Sequence, residues 1–79
     1  MYKELETAKN KLVGTKQVLR ALAADEVAVI YIAKDADGAI QEKILKAAES
    51  VQVIYADSMQ ALGEHCGIDV RTACAAIKK

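Results

Sequence analysis

Proline, phenylalanine and tryptophan are absent from this chain of 79 residues, and glycine occupies only four positions. Without proline, internal repeats or a low-complexity tract there is no linker at which to divide it, so residues 1–79 read as a single domain. The aromatic residues are three tyrosines, and the 53% apolar fraction comes mainly from Ala, Val, Ile and Leu. Such small side chains suit helices packed closely on a sheet, and their abundance excludes disorder as the main state. A chain of this length buries roughly 60% of the surface its unfolded form exposes, which supports a modest core but no large internal cleft. No apolar run approaches the ~20 residues that cross a bilayer. The opening Met1-Tyr2-Lys3-Glu4-Leu5-Glu6 is charged where a signal peptide is apolar. The expected compartment is therefore the cytoplasm, away from any membrane, with Cys66 and Cys74 as thiols. Their spacing matches no metal motif, and neither a metal nor a cofactor is expected.

Net charge is also missing, since 11 Lys and Arg balance 11 Asp and Glu. That balance argues against a simple polyanion binder, but the charges are unevenly placed. Residues 1–20 carry five cations against two Glu, residues 34–69 carry three against seven acids, and residues 70–79 add three more cations. If the two basic ends meet in the fold, a neutral protein acquires one basic and one acidic face, a polarity able to orient it on a partner.

The hydrophobic pattern gives the elements. Leu5, Ala8 and Leu12 recur at helical spacing, predicting a first helix over about Tyr2 to Lys9, followed by a short strand at Lys11 to Val13. A threonine-capped second helix starts at Thr15, turns Val18, Leu19 and Leu22 inward, and ends around Ala24-Asp25. The run Val27 to Ala33 is continuous, apolar and β-branched, as expected of a central strand covered on both faces. After the turn residues Lys34 to Gly38, a third helix carries Ile40, Ile44, Leu45, Ala48 and Val51 on one stripe, and Val51 to Tyr55 forms the next strand. Asp57 or Ser58 caps a fourth helix that Gly67 stops; Ile68 to Arg71 is a loop, and Thr72 to Ile77 is the last strand. The predicted class is α/β, a three-layer α/β/α sandwich with a central mixed four-stranded sheet.

Two segments carry recognition chemistry. At Gly14-Thr15-Lys16-Gln17 a glycine leads into a helix whose first N–H groups lack intrahelical partners, and Lys16 and Arg20 add full charges near that positive end. Lys16 suits phosphate or the O6 and N7 acceptors of guanine, and Gln17 can both donate and accept at a base edge. Taken alone, the segment reads more simply as a turn followed by the solvated face of an amphipathic helix. In Gly67-Ile68-Asp69-Val70-Arg71, two aliphatic residues between turn residues offer a platform for an unstacked base, with Arg71 placed for its phosphate. The simpler account makes Ile68 and Val70 ordinary lid residues over the core.

No catalytic set emerges. His65 and Cys66 are neighbours on a helix, so their side chains diverge by about 100°, which discourages a thiolate–imidazole pair. Both cysteines suit small core positions. Asp35 and Asp37 could hold a divalent cation, yet Asp-Ala-Asp-Gly is an ordinary turn.

Gly14-Thr15-Lys16-Gln17, the strand ending Ile32-Ala33-Lys34-Asp35-Ala36-Asp37, and Leu62-Gly63 through Cys66-Gly67-Ile68-Asp69-Val70 occur in a telling order and spacing. Together they resemble the kink-turn RNA-binding ribosomal-protein family, the L-seven-Ae type, in its short bacterial branch. The resemblance spans the whole chain. It implies a non-catalytic, monomeric RNA-binding protein whose partner is a structured RNA containing a kink-turn, in a riboswitch, ribosomal RNA or another transcript. In that family the second helix enters the groove at the kink. This places Gly14, Thr15, Lys16 and Gln17 on phosphates and on guanine edges of sheared G·A pairs, with Arg20 one turn further on. Ile68, Asp69, Val70 and Arg71 would cover the flipped-out nucleotide, with Lys34 and Asp37 at the rim. Archaeal relatives usually carry Asn-Glu where this chain has Lys16-Gln17, so Gln17 offers guanine a neutral and weaker acceptor. A small residue is common at the position of Arg71, which here adds a phosphate contact and salt dependence. A protein-interaction module or a ribosome-associated structural component on the same fold are the alternatives; an apolar protein interface would change little with salt.

Overall fold

The computed structural model describes residues 3–79, as eight elements in alternating order: α1 (Lys3–Thr7), β1 (Lys11–Val13), α2 (Thr15–Ala23), β2 (Val27–Ala33), α3 (Gly38–Ala47), β3 (Gln52–Ala56), α4 (Met59–His65) and β4 (Cys74–Lys78). The strands form one sheet in the order β1-β4-β2-β3. β4 runs antiparallel to both β1 and β2, whereas β2 and β3 are parallel, so the sheet is mixed.

Because successive side chains of a strand alternate between faces, the apolar run of β2 feeds two cores. Val29, Tyr31 and Ala33 pack with Leu5 of α1, Leu62 of α4 and Cys66 just after it. Val27, Ile30 and Ile32 pack on the other face with Val18 and Ala21 of α2, Ile44 of α3 and Ala48 just after it. This is the three-layer arrangement the sequence predicts. One irregularity interrupts β2, where the register with β4 shifts between Val27 and Val29 and leaves Ala28 exposed.

Several boundaries differ from the sequence reading. The first helix ends at Thr7 instead of Lys9. The Thr7 hydroxyl donates back to the Lys3 carbonyl at 2.9 Å, and the Asn10 side chain donates to the Lys78 carbonyl at 2.8 Å, tying the chain to β4. Tyr2 lies outside the described residues. Thr15 is not a cap: Gly14 holds the N-cap position of α2, with φ 103°, and Thr15 is the first helical residue. Leu45 leaves the α3 stripe and is 41% exposed, and Val51 falls beyond the end of the helix at Ala47. β4 begins two residues later than expected, at Cys74, because Thr72 spends its N–H on the Met59 carbonyl outside the sheet.

Candidate nucleic-acid interface

β1, β2 and β3 all point the same way, so their C-terminal ends share one rim of the sheet with the start of β4. In open α/β sheets, ligands sit outside this rim because the loops and helix starts gather there. Here it collects the start of α2 after β1, the Lys34–Asp37 turn after β2, the start of α4 after β3, and the residue 67–73 loop before β4. The two segments singled out from sequence thus meet at one end of the molecule.

Hydrogen bonds tie these arms together. The Asp35 carboxylate accepts the Met59 N–H at 2.7 Å, bridging the β2–α3 turn to the start of α4. The Met59 carbonyl accepts the Thr72 N–H at 3.1 Å. The Thr72 hydroxyl donates to the Cys74 carbonyl at 3.0 Å, which also accepts the Gly14 N–H at 3.0 Å. The Cys74 thiol in turn donates to the Thr15 hydroxyl at 3.5 Å.

The helix starts are treated differently. Asp37 caps α3 by accepting the Ala39 N–H at 2.8 Å. Ser58 caps α4 by accepting the Ala61 N–H at 3.0 Å, so of the two candidate caps the serine serves. Asp35 and Asp37 therefore complete helix N-termini, which is the turn reading of that segment. The start of α2 receives no side-chain cap. Its first N–H groups are left for an outside acceptor, in the field of the helix dipole.

Lys16, Gln17, Arg20, Lys34, Asp69 and Arg71 are exposed. Among the described residues none of their side chains makes a hydrogen bond or ion pair. Three other cations of the chain ends are engaged elsewhere, whereas Lys3 and Lys9 are exposed. Lys78 pairs with Glu26 at 3.3 Å and Lys79 with Asp25 at 3.0 Å, and the Lys11 ammonium donates to the carbonyls of Leu5 and Glu6. The basic ends do converge, through the β1–β4 pairing, and Lys16, Lys34 and Arg71 stand around the rim as exposed cations. Gln17 and Arg20 also border an open hollow of about 280 Å³ floored by Leu12, Ala21 and Ala24.

The two loop aliphatics separate. Ile68 is half-buried and packs on the α1/α4 core, whereas Val70 is 69% exposed. Of the two, Val70 alone is left as an exposed aliphatic side chain, and Ile68 is a lid residue. Gly63, which has no recognition chemistry of its own, is a further contributor. A Cβ there would collide with the Val70 carbonyl oxygen and approach the Arg71 Cα to 3.1 Å, so its hydrogen lets the loop lie directly on α4. An isolated glycine inside a helical pattern is the available sign of such a close approach.

The nucleophile candidates are quiet. His65 is held by Glu6 across α1 and α4, Nδ1 to Oε2 at 2.5 Å. Burial pushes the Cys66 and Cys74 thiols up, away from the reactive thiolate.

The model of the ribosomal protein L7Ae/L30e/S12e/Gadd45 family matches residues 1–79. An RNA-binding protein of Halalkalibacterium halodurans is 41% identical over 80 residues, covering 99% of this chain and 98% of its own. One from Caldanaerobacter subterraneus is 46% identical over 68 residues, covering 84% and 83%. Among solved structures, the Giardia lamblia 15.5kD RNA binding protein superposes with a TM-score of 0.79 at 29% identity, over 99% of this chain and 68% of that one. A Bacillus halodurans protein of unknown function shares the fold, with a TM-score of 0.84 at 22% identity over 99% and 80%.

Proposed function

The chain belongs to the ribosomal protein L7Ae/L30e/S12e/Gadd45 family, and on that footing we propose that it binds structured RNA at the rim around the start of α2, and that this RNA contains a kink-turn. The observation that carries the reading is the uncapped start of α2, left open beside Lys16 and on the helix that carries Arg20, while α3 and α4 are closed by their own side chains. RNA is the polyanion that relatives of this length are named for binding.

In this reading the backbone N–H groups of Thr15 and Lys16 and the Lys16 ammonium hold phosphates at the kink. Gln17 meets the guanine edges of the sheared pairs and Arg20 follows the backbone one turn on. Gly14 lets the RNA come close to the helix start. Val70 covers the flipped-out nucleotide, Arg71 takes its phosphate, and Asp69 and Lys34 stand at the edge of the same surface. Ile68 and Asp37 contribute by holding the loop and α3 in place.

No bond is made or broken. A monomer in the cytoplasm that contacts only the bent RNA stabilises it by its differential affinity for that form over the extended one. The test is affinity for a kink-turn duplex beside the same duplex with its G·A pairs made Watson–Crick, in about 0.1 M salt with Mg²⁺. Tight binding to the first alone is expected; equal or absent binding to both would overturn the kink-turn reading.

A further inference from the structure

Thr72 is the one buried polar or charged residue among the described residues if tyrosine is counted as hydrophobic, 8% exposed, and it lies between the two arms of the rim. Burial of a hydroxyl is tolerated only when it is hydrogen-bonded. Its partner here is unusual in placement, because the Cys74 carbonyl it donates to, at 3.0 Å, is the one that already accepts the Gly14 N–H, also at 3.0 Å. A carbonyl oxygen has two lone pairs, and one oxygen thus takes a bond from each arm of the rim. On one side stands Thr72, next to Arg71 and anchored by its own N–H to Met59 at the start of α4. On the other stands Gly14, in a backbone conformation with φ 103° that places the first turn of α2.

We infer that Thr72 is a positioning residue for RNA: its hydroxyl, acting through the Cys74 carbonyl, sets the 68–71 loop and the start of α2 in fixed relation before RNA arrives. The inference rests on the RNA-binding reading of the rim. Core burial alone does not require this hydroxyl, since valine has the same branched shape. What valine lacks is the second bond to the Cys74 carbonyl, which keeps its bond from Gly14 but loses the one that Thr72 donates. The arms are then coupled less tightly, through the Gly14 and Thr15 bonds to Cys74 alone, and an RNA touching both must restrict them further on binding, which weakens affinity.

The experiment compares Thr72→Val with Thr72→Ser in the full chain, well below either melting temperature. Thr72→Val is expected to weaken binding of a kink-turn duplex roughly three- to tenfold, in line with loss of one hydrogen bond. Thr72→Ser, which keeps the hydroxyl and loses a methyl, binds within about twofold of wild type even if its Tm falls. In the free protein, Thr72→Val increases hydrogen exchange at the Gly14 amide more than at amides within β2, and Thr72→Ser does not. A purely structural threonine would lower Tm in both variants with RNA affinity and the Gly14 amide unmoved, and that result overturns the inference. Wild-type binding to the duplex judges the RNA reading separately, because the Gly14 amide is measured without RNA.

Discussion

Gly63, inside α4, faces the Val70 carbonyl oxygen so closely that any Cβ would collide with it. The contact seats the loop bearing Val70 and Arg71 directly on the helix, while Gly67, at φ 77°, turns the chain out of α4 into that loop. The turn is closed by the Ile68 N–H donating to the Gly63 carbonyl at 3.1 Å, so one residue both receives the loop and terminates the helix that carries it.

Alanine normally stabilises a helix interior by about 1 kcal/mol relative to glycine. At Gly63 the backbone collision opposes that gain, and forced displacement of packed atoms costs about 1–3 kcal/mol. Gly63→Ala should therefore lower the urea midpoint and also weaken RNA binding, as Val70 and Arg71 are pushed off the rim. A stabilised variant with unchanged binding would show that the loop yields freely.

Lys16→Ala and Arg20→Ala remove exposed side chains without partners among the described residues, so unfolding curves should match wild type. Each variant should weaken kink-turn binding by about 1.5–3 kcal/mol, the range for hydrogen bonds to charged groups. The slope of log K against log salt should fall by roughly 1 per lost phosphate contact. Unchanged affinity in both would remove the start of α2 from the interface.

Ile68 and Val70 make opposite predictions although they are two residues apart. Ile68→Ala truncates a half-buried side chain packed on the α1/α4 core and should cost about 1–2 kcal/mol in stability. Val70 is 69% exposed, so Val70→Ala should leave stability within about 0.5 kcal/mol and weaken RNA binding instead. Calorimetry beside RNA titration separates the two.

The Asp35 carboxylate accepts the first N–H of α4 at 2.7 Å, close to the positive end of the helix dipole. Asp35→Ala should cost about 0.5–2 kcal/mol, the range for a lost cap, read as a shift in the urea midpoint.

Burial raises the thiols of both cysteines, opposed at Cys66 by the nearby Lys11 charge and at Cys74 by the Thr15 hydroxyl. A thiol whose folded pKa lies above its unfolded value contributes stability below the unfolded pKa, and that contribution is lost as pH rises through the folded one. Denaturant midpoints should therefore fall once pH climbs past the ordinary thiol value of about 8.5. Replacement of both thiols by serine should flatten that alkaline decline.

The sequence by itself determined the element order, the strands at Lys11–Val13 and Val27–Ala33, and the glycine stop at Gly67, because these follow from local periodicity, β-branching and backbone freedom. It also offered the three segments that come to share the rim. Tertiary structure alone decided which side chains there are free. Lys78 and Lys79 look as basic as Lys16 and Arg20 along the chain, yet they pair with Glu26 and Asp25. Asp35 reaches 24 residues forward to α4, Ile68 sinks while Val70 stays out, and Thr72 and Gly14 share one carbonyl across 58 residues. Each of these depends on where distant strands bring a partner, and a linear pattern specifies the face a residue takes without specifying what it meets there.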